Sequence, residues 1–410
     1  MPTPDTSRSA VEKFKFIPFT RRDHCVICGE SVSSPIINLP AFPITEIYSR
    51  IKIKKPVGFL DQAFHFCVNC GHGQIANVID TDFQYEEGSY FFRTSLSQTG
   101  KEASHFFLNF LDQIAPYRKF NHILDIGCND LYILKALQAR AKKLTGVDPI
   151  LRNPTNKEDD SISVINDFWE KVELKTPADL IICKDTLEHV ADPKSFLKKV
   201  LTAAADDALL VFQFPCLEAL VEGCHFDQIF HQHLNYFTKR SIHYLLSELG
   251  CKLFQYTINM DHWGSIIIAF QKKGQPRAQG FASTDFISVE NIHRKHAIFH
   301  GNLASTHARL MDIGNETLCG YGAALMLPIL NYYLKNALSR LSCILDDDER
   351  KIGLCYINFP VIIKNPCQIS GWKKKIIVIT AVNNINSMRQ VLRKALDLKP
   401  KQIIIPLNSF

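Results

Sequence analysis

The chain has 410 residues, of which 46% are hydrophobic and 21% are charged, and its formal net charge is +6 at pH 7. This length and composition predict a globular protein of two or three domains. No apolar run reaches the ~20 residues of a membrane-spanning helix. Residues 1–22 also lack the apolar core of a signal peptide, so we expect a cytoplasmic protein with reduced cysteines and no membrane partner. The basic residues are scattered, which does not favour nucleic acid as a partner.

Two CxxCG motifs lie in the first fifth of the chain, one containing Cys25 and Cys28 and the other Cys67 and Cys70. Four thiolates in two such pairs can fill a tetrahedral zinc shell, and the glycine after each pair allows a sharp turn. The alternative is two unrelated thiol pairs. A histidine near either motif could also replace one sulfur: His24, His65 or His72. We expect a structural zinc site that stabilises residues 21–85 and does no chemistry.

The central part of the chain alternates between predicted strands and helices. Apolar residues recur on one face of a predicted helix at residues 101–115. The predicted strands are residues 122–128, 143–149, 163–167, 178–185, 208–215, 252–259 and 264–271. Between them, helices are predicted at residues 131–141 and 193–201. This alternation predicts an α/β domain with a mostly parallel sheet, covered on both faces and closed by an antiparallel edge.

The alternation resumes after a turn-rich linker and a long polar helix predicted at residues 289–313. Later strands are predicted at residues 317–319, 343–345, 375–382 and 402–406. They indicate a second, smaller Rossmann-like α/β domain. The expected organisation is an N-terminal tail, a zinc-binding module, a central domain, a linker with the long helix, and a C-terminal domain, at residues 1–20, 21–85, 86–275, 276–316 and 317–410.

Polar residues follow four of the predicted strands, where open α/β sheets bind their ligands. Each of these strand ends offers at least one acid, base or backbone amide to a ligand. The candidate binding residues are Asp125, Gly127, Cys128, Asn129, Asp148, Asp167, Phe168 and Lys184. Gly127 lets the backbone approach a ligand, Asp148 can accept from both hydroxyls of a ribose, and Phe168 offers an aromatic face to an adenine ring. The alternative for Asp148 and Asp167 is that they are ordinary turn acids.

A dense polar segment, residues 226–237, follows the fifth strand of the central domain. In a turn or an extended stretch, its His231 and His233 can both point into one cavity. A neutral imidazole near pH 7 is a good general base, so this segment is a candidate catalytic loop. The alternative is a polar loop packed by its aromatic residues. A further histidine, His189, follows the fourth strand.

The D-x-G-x-N-D sequence at residues 125–130 resembles motif I of class I methyltransferases, which bind S-adenosylmethionine. From about Cys25 to the C-terminus, the chain resembles the sugar C-methyltransferase family. The segments that carry this resemblance are the two CxxCG motifs and residues 125–130, 226–234, 318–323 and 347–353. The family has a zinc module, a class I methyltransferase domain and a C-terminal Rossmann-like domain that does not hold S-adenosylmethionine.

The resemblance implies methylation of a carbon next to the keto group of a nucleotide-linked 4-keto-deoxysugar, and so a role in deoxysugar biosynthesis. S-adenosylmethionine is then the methyl donor, bound by the strand-end residues, and zinc is a structural ion. The resemblance places the base at His233, which removes the carbon-bound proton to form an enolate. It assigns acid, base or positioning roles to His189 and to residues 90–95, which include Tyr90. Gln232, next to the base, can position groups but cannot take a proton.

The sequence departs from the family pattern at several positions. Leu131 replaces the glycine that ends motif I, and Gln232 replaces a glutamate before the base histidine. Such changes keep two alternatives open: an O- or N-methyltransferase for another small molecule, or a non-catalytic protein that binds a ligand with the same fold. The sequence does not identify the sugar, the nucleotide, the methylated carbon or the oligomeric state.

Overall fold

Short antiparallel strands form the N-terminal part of the protein. The computed structural model describes residues 11–32, 34–51, 53–84, 93–151, 161–272, 287–382 and 385–407. The first strands are β1 (Phe19–Arg21), β2 (Ile37–Pro43), β3 (Tyr48–Ser49), β4 (Phe59–Phe66), β5 (Gly73–Ile75) and β6 (Asn77–Ile79), followed by helix α1 (Thr81–Gln84). Strand β4 pairs with β2 and β5, and β1 pairs with β6. We call residues 11–84 the N-terminal module.

A seven-stranded mixed sheet forms the centre of the protein. The strands of this part of the chain are β7 (Phe120–Ile126), β8 (Ala141–Val147), β9 (Ile162–Ile165), β10 (Ala178–Lys184), β11 (Ala204–Pro215), β12 (Asn235–Tyr236), β13 (Lys252–Asn259) and β14 (Ser265–Gln271). The sheet order is β13-β14-β11-β10-β7-β8-β9. Strands β7 to β11 pair in parallel, and β13 and β14 add an antiparallel edge. The prediction of an α/β domain with this kind of sheet is confirmed.

Helices cover the two faces of the central sheet. On one face lie α2 (Gln98–Ile114) and α3 (Tyr132–Ala136), and on the other lie α4 (Pro193–Ala203) and α6 (Lys239–Glu248). The short helix α5 (Leu217–Glu222) packs instead in the core that the N-terminal module shares with the C-terminal part. Helix α2 starts earlier than the apolar pattern predicted, because the Ser97 side chain caps it by accepting from the amide of Gly100. Its buried Phe107, Phe110 and Leu111 pack against one face of the sheet.

The helix predicted at residues 131–141 is shorter in the structure. Helix α3 ends at Ala136, a 3-10 turn covers Gln138–Arg140, and β8 begins at Ala141. The Arg140 guanidinium donates to the carbonyls of Ala115 and Arg118, and this fixes the chain at the start of β8. The predicted helix therefore included Gln138–Arg140, which form a 3-10 turn, and Ala141, which is the first residue of β8.

A five-stranded parallel sheet forms the C-terminal part of the protein, in the order β18-β16-β15-β19-β20. The strands here are β15 (Thr317–Tyr321), β16 (Cys343–Leu345), β17 (Cys355–Tyr356), β18 (Ile363–Lys364), β19 (Lys375–Ile379) and β20 (Gln402–Ile404). The helices are α7 (Val289–Asp312), α8 (Leu327–Tyr333) and α9 (Ile385–Asp397). Helix α7 is the predicted long helix, and its Phe299 and Leu303 pack in the same core as this sheet. The domain boundaries drawn from the sequence remain predictions.

The N-terminal module is bound to both of the other parts through backbone pairing. Strand β12, just after His233, pairs with β5 and so becomes the edge of the four-stranded sheet of the module. Strand β17 pairs with β3. The module therefore holds one loop from the central part and one from the C-terminal part. Among the helices that the structure describes, none combines the length and the apolarity needed to cross a bilayer.

Candidate functional site

Two buried acids lie at the carboxyl ends of neighbouring strands in the central sheet. Asp125 is on β7, and Asp148 follows β8, the parallel partner of β7. The two carboxylate oxygens of Asp148 accept from the amides of Asn129 (2.8 Å) and Ile150 (2.9 Å). These contacts fix the orientation of Asp148 and leave further lone pairs for a ligand.

Gly127 forms the sharp turn that follows β7, two residues after Asp125. Its φ is 79°, a conformation that favours glycine, and its amide donates to the carbonyl of Val147 at 2.8 Å. A Cβ atom built on Gly127 would lie only 2.0 Å from Oγ1 of Thr186, in the segment after β10. The motif I loop therefore contacts the segment that leads to His189.

Burial raises the pKa values of both acids. The pKa of Asp125 rises to about 7, because burial and the neighbouring Asp148 disfavour its charge more than Lys184 favours it. The pKa of Asp148 rises to about 6 through burial, against the two backbone amides and Arg93. Two buried carboxyl groups at adjacent strand ends form an acceptor-rich site that suits hydroxyl or ammonium donors of a ligand.

The remaining predicted binding residues lie at the same edge of the sheet. Cys128 is buried beside Gly146, whose Cβ position is 2.6 Å from the cysteine sulfur. The side chain of Asn129 accepts from the Thr94 amide at 3.1 Å. Asp167 and Phe168 are half-buried after β9, where Asp167 accepts from the Phe168 amide at 2.8 Å. Lys184 ends β10.

The Lys184 ammonium interacts with a neighbouring acid of this chain. It pairs with the carboxylate of the adjacent Asp185, which also accepts from Gln213 at 2.9 Å. Although burial opposes ionisation, Lys184 and His262 hold the pKa of Asp185 below its usual range. Lys184 therefore neutralises Asp185 and offsets part of the rise that burial and Asp148 cause in the pKa of Asp125.

Leu131, the departure at the end of motif I, adopts the backbone conformation of a glycine. Its φ is 65°, in the left-handed region that costs a leucine roughly 1–2 kcal/mol. Its Cδ2 atom lies 3.1 Å from the Cβ position of Gly146, and its side chain packs with the apolar cluster beneath α2 and α3. Packing of the side chain offsets the backbone strain, so the turn forms without the glycine.

A pair of histidines lies beyond the carboxyl end of β10. His189 ends the 3-10 turn Leu187–His189, and its ring centroid is 5.0 Å from that of His233. The Nδ1 atom of His189 is 2.7 Å from the backbone carbonyl oxygen of Gln232. A carbonyl oxygen only accepts, so His189 carries its proton on Nδ1 and leaves the Nε2 lone pair to take a proton.

Both histidines are neutral near pH 7. Burial lowers the pKa of His189, and burial together with His189 lowers the pKa of His233 well below its usual value. A Glu188 carboxylate oxygen and one ring nitrogen from each histidine all lie within 4.8 Å of one another. Burial, together with the nearby Asp185, raises the pKa of Glu188 well above its usual value and so disfavours the charged form of this carboxyl group.

The two segments that carry the histidines are joined by residues that sequence reasoning missed. Arg22 of the N-terminal module donates to the carbonyls of Leu234 (2.8 Å) and Ala191 (2.6 Å). The Asn235 side chain donates to Val190 at 2.7 Å. A lone arginine before a CxxC motif and a single asparagine two residues after a histidine carry no sequence signal for this role.

The structure corrects the expectation that His231 and His233 share a cavity. The Nδ1 atom of His231 lies 3.0 Å from Nε2 of Gln62, and its Nε2 atom lies 3.3 Å from the carbonyl oxygen of Phe42. His231 is thus buried against the N-terminal module, because adjacent β12 turns the loop towards that module. Tyr90 lies outside the described residues.

The four predicted zinc ligands come together in the N-terminal module. The Sγ atoms of Cys25 and Cys70 are 3.5 Å apart, as are those of Cys28 and Cys67, and all four lie within 4.8 Å of one another. Thiolates that bind one zinc ion at ~2.3 Å are separated by about 3.8 Å, so this arrangement fits a tetrahedral ion.

Each cysteine pair forms the same turn. Gly29 (φ 78°) donates to the carbonyl of Cys25 at 2.9 Å, and Gly71 (φ 79°) donates to that of Cys67 at 2.7 Å. The second turn docks on the central part of the chain, where Thr238 Oγ1, at the start of α6, donates to the Gly71 carbonyl at 3.0 Å.

Comparison with known proteins identifies the central part of the chain. A family model described as a methyltransferase domain matches residues 98–256. Residues 98–256 are a methyltransferase domain. The expectation of a class I, S-adenosylmethionine-dependent methyltransferase is confirmed at the level of this domain.

A curated relative and several solved structures are similar to parts of the chain. C-methyltransferase NovU of Streptomyces niveus is 26% identical over 152 residues, which is 36% of this chain and 36% of the relative. N-methyltransferase NodS of Bradyrhizobium japonicum WM9, in complex with S-adenosyl-L-homocysteine, is 15% identical over 43% of this chain and 88% of its own, with a TM-score of 0.34. Magnesium protoporphyrin IX methyltransferase of Synechocystis PCC 6803 is 13% identical over 43% and 84%, with a TM-score of 0.36.

The contact between Gly127 and Thr186 can be tested with a series of alanine variants. Gly127→Ala should lower the free energy of unfolding by about 2–3 kcal/mol, because it adds both a left-handed alanine and a clash. Gly250 also has a positive φ but open space around its Cβ position, so Gly250→Ala should cost about 1 kcal/mol. Gly314→Ala has neither problem and serves as the control. Urea unfolding measures all three, and equal costs at positions 127 and 250 would contradict the clash.

Proposed function

We propose that the protein is an S-adenosylmethionine-dependent C-methyltransferase that acts next to the keto group of a nucleotide-linked 4-keto-deoxysugar. The observation that carries this proposal is the pair formed by the half-buried His189 and the buried His233, with the His189 proton held on Nδ1 by the Gln232 carbonyl. The pair lies next to the motif I loop of a methyltransferase domain through Thr186. The distant similarity to a C-methyltransferase supports transfer to carbon.

The acids at the strand ends fit the cofactor. Asp148 would accept from the ribose hydroxyls, and the turn at Gly127 would bring the motif I backbone towards the ligand. Asp125, Asn129, Asp167 and Phe168 line the same edge. The cofactor supplies an electrophilic methyl group when it is bound.

The reaction itself needs a base and a site for negative charge. A C–H bond next to a carbonyl is acidic enough for a neutral imidazole to remove its proton, and the resulting enolate carbon is the nucleophile. His233 is the expected base. His189 is the second candidate, favoured by its fixed tautomer and by a pKa less strongly lowered than that of His233. Donors in the cleft would stabilise the enolate oxygen.

We also propose that the four cysteines of the N-terminal module hold one structural zinc ion. The distances between their sulfur atoms and the left-handed turns at Gly29 and Gly71 support this assignment. With four protein ligands the ion would have no free position for a substrate, so its contribution would be to folding.

The zinc proposal predicts one zinc per chain in protein purified without chelator. Cys67→Ser should lose the metal and become unstable or insoluble, because zinc binding contributes directly to the free energy of folding. The exposed Cys367 lies outside the cluster, so Cys367→Ser should keep one zinc and full stability. Elemental analysis measures the metal, and a folded, metal-free wild type would disprove the assignment.

The cofactor proposal predicts a pH dependence of binding. Asp148 and Asp125 carry raised pKa values of about 6 and about 7, and the cofactor needs their charged forms as acceptors. Affinity should therefore be constant above about pH 7.5 and fall as pH decreases through 7 and 6, when the two acids, flanked by Arg93, Asp130 and Lys184, take up protons.

Calorimetry with S-adenosylmethionine tests this directly. At pH 8, Asp148→Ala should weaken binding by ~1.5–3 kcal/mol, since the ribose hydroxyls lose a charged acceptor. Asp207 is exposed near the first residues of β11, whereas the candidate site lies beyond the carboxyl ends of the strands. Asp207→Asn should therefore leave both the affinity and its pH profile unchanged. Wild-type affinity in Asp148→Ala would remove this residue from the site.

Proton exchange tests the base and the reaction together. The 4-keto sugar nucleotide is incubated in heavy water with S-adenosylhomocysteine, and loss of the proton next to the carbonyl is followed by NMR. Removal of the base should slow the exchange by ~10²–10⁴-fold. We expect this loss in His233→Ala and wild-type exchange in His243→Ala, where the histidine is exposed on α6.

The pattern of results separates the candidates. If His233→Ala exchanges normally and His189→Ala does not, His189 is the base. If wild type does not exchange the proton at all, carbon methylation of this sugar is wrong, and O- or N-methylation of another small molecule becomes the better proposal.

A further inference from the structure

His262 is a buried histidine in the turn that joins β13 to β14. Only 8% of its surface is exposed, and its ring stacks on that of Trp263, with the ring centroids 4.8 Å apart. The His262 amide donates to the Asn259 carbonyl at 3.2 Å, and the His262 carbonyl accepts from the Ser265 amide at 2.9 Å. The turn therefore fixes both the backbone and the ring of His262.

The turn has a strained backbone. Trp263 has a φ of 57° and Gly264 a φ of 67°, both in the left-handed region. A Cβ atom built on Gly264 would lie 2.2 Å from the Cβ atom of Ala219 in α5, so the packing of the turn on this helix requires glycine. A left-handed backbone is unusual for a bulky residue such as tryptophan. Such strain persists where the surroundings impose it, and it is concentrated at functional sites.

The turn places His262 against Asp185, the residue that follows β10. The Nε2 atom of His262 lies 3.6 Å from Oδ2 of Asp185, a distance longer than a hydrogen bond but short enough for electrostatic attraction. Gln213 donates to Oδ1 of Asp185 at 2.9 Å, and Lys184 pairs with Oδ2. Because a negatively charged oxygen faces Nε2, it favours a hydrogen there over a lone pair. His262 is therefore expected to carry its proton on Nε2 and a lone pair on Nδ1.

The Nδ1 atom of His262 is buried and has no hydrogen-bond partner among the residues that the structure describes. A buried polar atom without a partner costs free energy, so its presence indicates a place for a ligand or a water molecule. His262 lines a cavity of about 220 Å³. The wall of this cavity thus includes a buried acceptor that no described residue satisfies.

Three elements of the fold form the cavity: the first half of α2, the turn after β13, and Asn386 of α9. The Nδ2 atom of Asn386 donates to Oε2 of Glu102 at 3.1 Å and so connects α9 with α2. Besides His262, the ionisable side chains that line the cavity are Glu102 and Asp261, and its described lining contains no lysine or arginine. Carboxyl and imidazole acceptors suit a ligand that brings hydrogen-bond donors.

The cavity adjoins the place where the methyl group would be transferred. Asp185, which faces His262, is followed by Thr186, and Thr186 packs against Gly127 of the motif I loop. The volume of the cavity is below the about 300–1,000 Å³ that is typical of small-molecule pockets, so it would take one ring-sized part of a ligand.

We propose that this cavity is the sugar-binding subsite of the methyltransferase, and that Nδ1 of His262 accepts a hydrogen bond there from a hydroxyl or ammonium group of the sugar. Asp185 is a positioning residue, which holds the hydrogen of His262 on Nε2 and so leaves Nδ1 as an acceptor. His262 binds and orients the sugar, a role separate from proton removal by His233 or His189. The inference rests on the proposed function in taking a sugar as the molecule that is methylated.

Two substitutions separate the two nitrogens of the His262 ring. The amide of asparagine reaches the position of Nδ1, whereas that of the longer glutamine reaches the position of Nε2. His262→Asn therefore keeps an acceptor for the sugar and loses the contact with Asp185, and His262→Gln does the reverse. Met260→Ala is the control in the same turn, because Met260 is 71% exposed and does not line the cavity.

Calorimetry of the full-length protein, saturated with S-adenosylhomocysteine, measures the affinity for the 4-keto sugar nucleotide. We expect His262→Gln to weaken this affinity roughly tenfold, because a buried donor of the sugar loses its partner. His262→Asn should stay within about threefold of wild type, since it keeps an acceptor at that place. Met260→Ala should bind as wild type does. All three variants should keep wild-type affinity for S-adenosylmethionine, which confines the loss to the sugar.

The imidazole ¹⁵N spectrum tests the same hydrogen bond in wild type. The protein is labelled at histidine, and the His262 signals are assigned by their loss in His262→Asn. In the free protein Nδ1 should be the unprotonated nitrogen, and its signal should shift when the sugar nucleotide binds. A proton on Nδ1 in the free protein, or an Nδ1 signal that does not respond to the sugar, would overturn the proposal.

The calorimetry also separates this proposal from the proposed function. If wild type binds the sugar nucleotide and His262→Gln binds it equally well, the subsite is wrong and the proposed function stands. If wild type binds S-adenosylmethionine but no 4-keto sugar nucleotide, the proposed substrate is wrong, and the assignment of this cavity to a sugar is wrong with it.

Discussion

The pairing of β12 with β5 is the contact on which the candidate site depends. It places Asn235 and Tyr236 on the edge of a sheet that belongs to the N-terminal module. Arg22 completes this contact by donating to the carbonyls of Leu234 and Ala191, in the two segments that carry His233 and His189. The histidine pair is thus held by a part of the chain outside the methyltransferase domain. Loss of the metal proposed for the cysteine cluster would loosen the same contacts, since Thr238 binds the second cysteine turn.

The site has two electrostatic regions that meet at Thr186. On the side of the motif I loop, burial raises the pKa values of Asp125 and Asp148 to about 7 and about 6, so their charged forms lose stability until a ligand supplies donors. On the other side, burial keeps the histidines uncharged, as a proton acceptor must be before the reaction. The pKa shifts on both sides have the same cause, because desolvation penalises the ionised form of acids and imidazoles alike.

Some features of the site could be predicted from local sequence patterns. Gly127, Asp148 and the spacing of the cysteines indicate local backbone geometry. In the structure the four cysteines meet in one cluster, and Gly127 forms a left-handed turn beside the end of the strand that leads to Asp148. Other features depend on packing. Leu131 adopts a left-handed conformation because its side chain packs beside Gly146, and His231 turns away from His233 because Gln62 and Phe42 hold it. Neither outcome follows from residues near in sequence.

The sequence by itself determined the α/β alternation, the edge of the sheet that carries the polar strand ends, and the four cysteines that meet. These features follow from hydrophobic periodicity and short-range spacing, which act within a few residues. Only the tertiary structure decided which distant groups surround the histidines. Arg22 reaches the segments that carry them because the N-terminal module folds back onto the central part of the chain. Contacts of this kind arise from the packing of whole elements, and a single sequence contains no local pattern that encodes them.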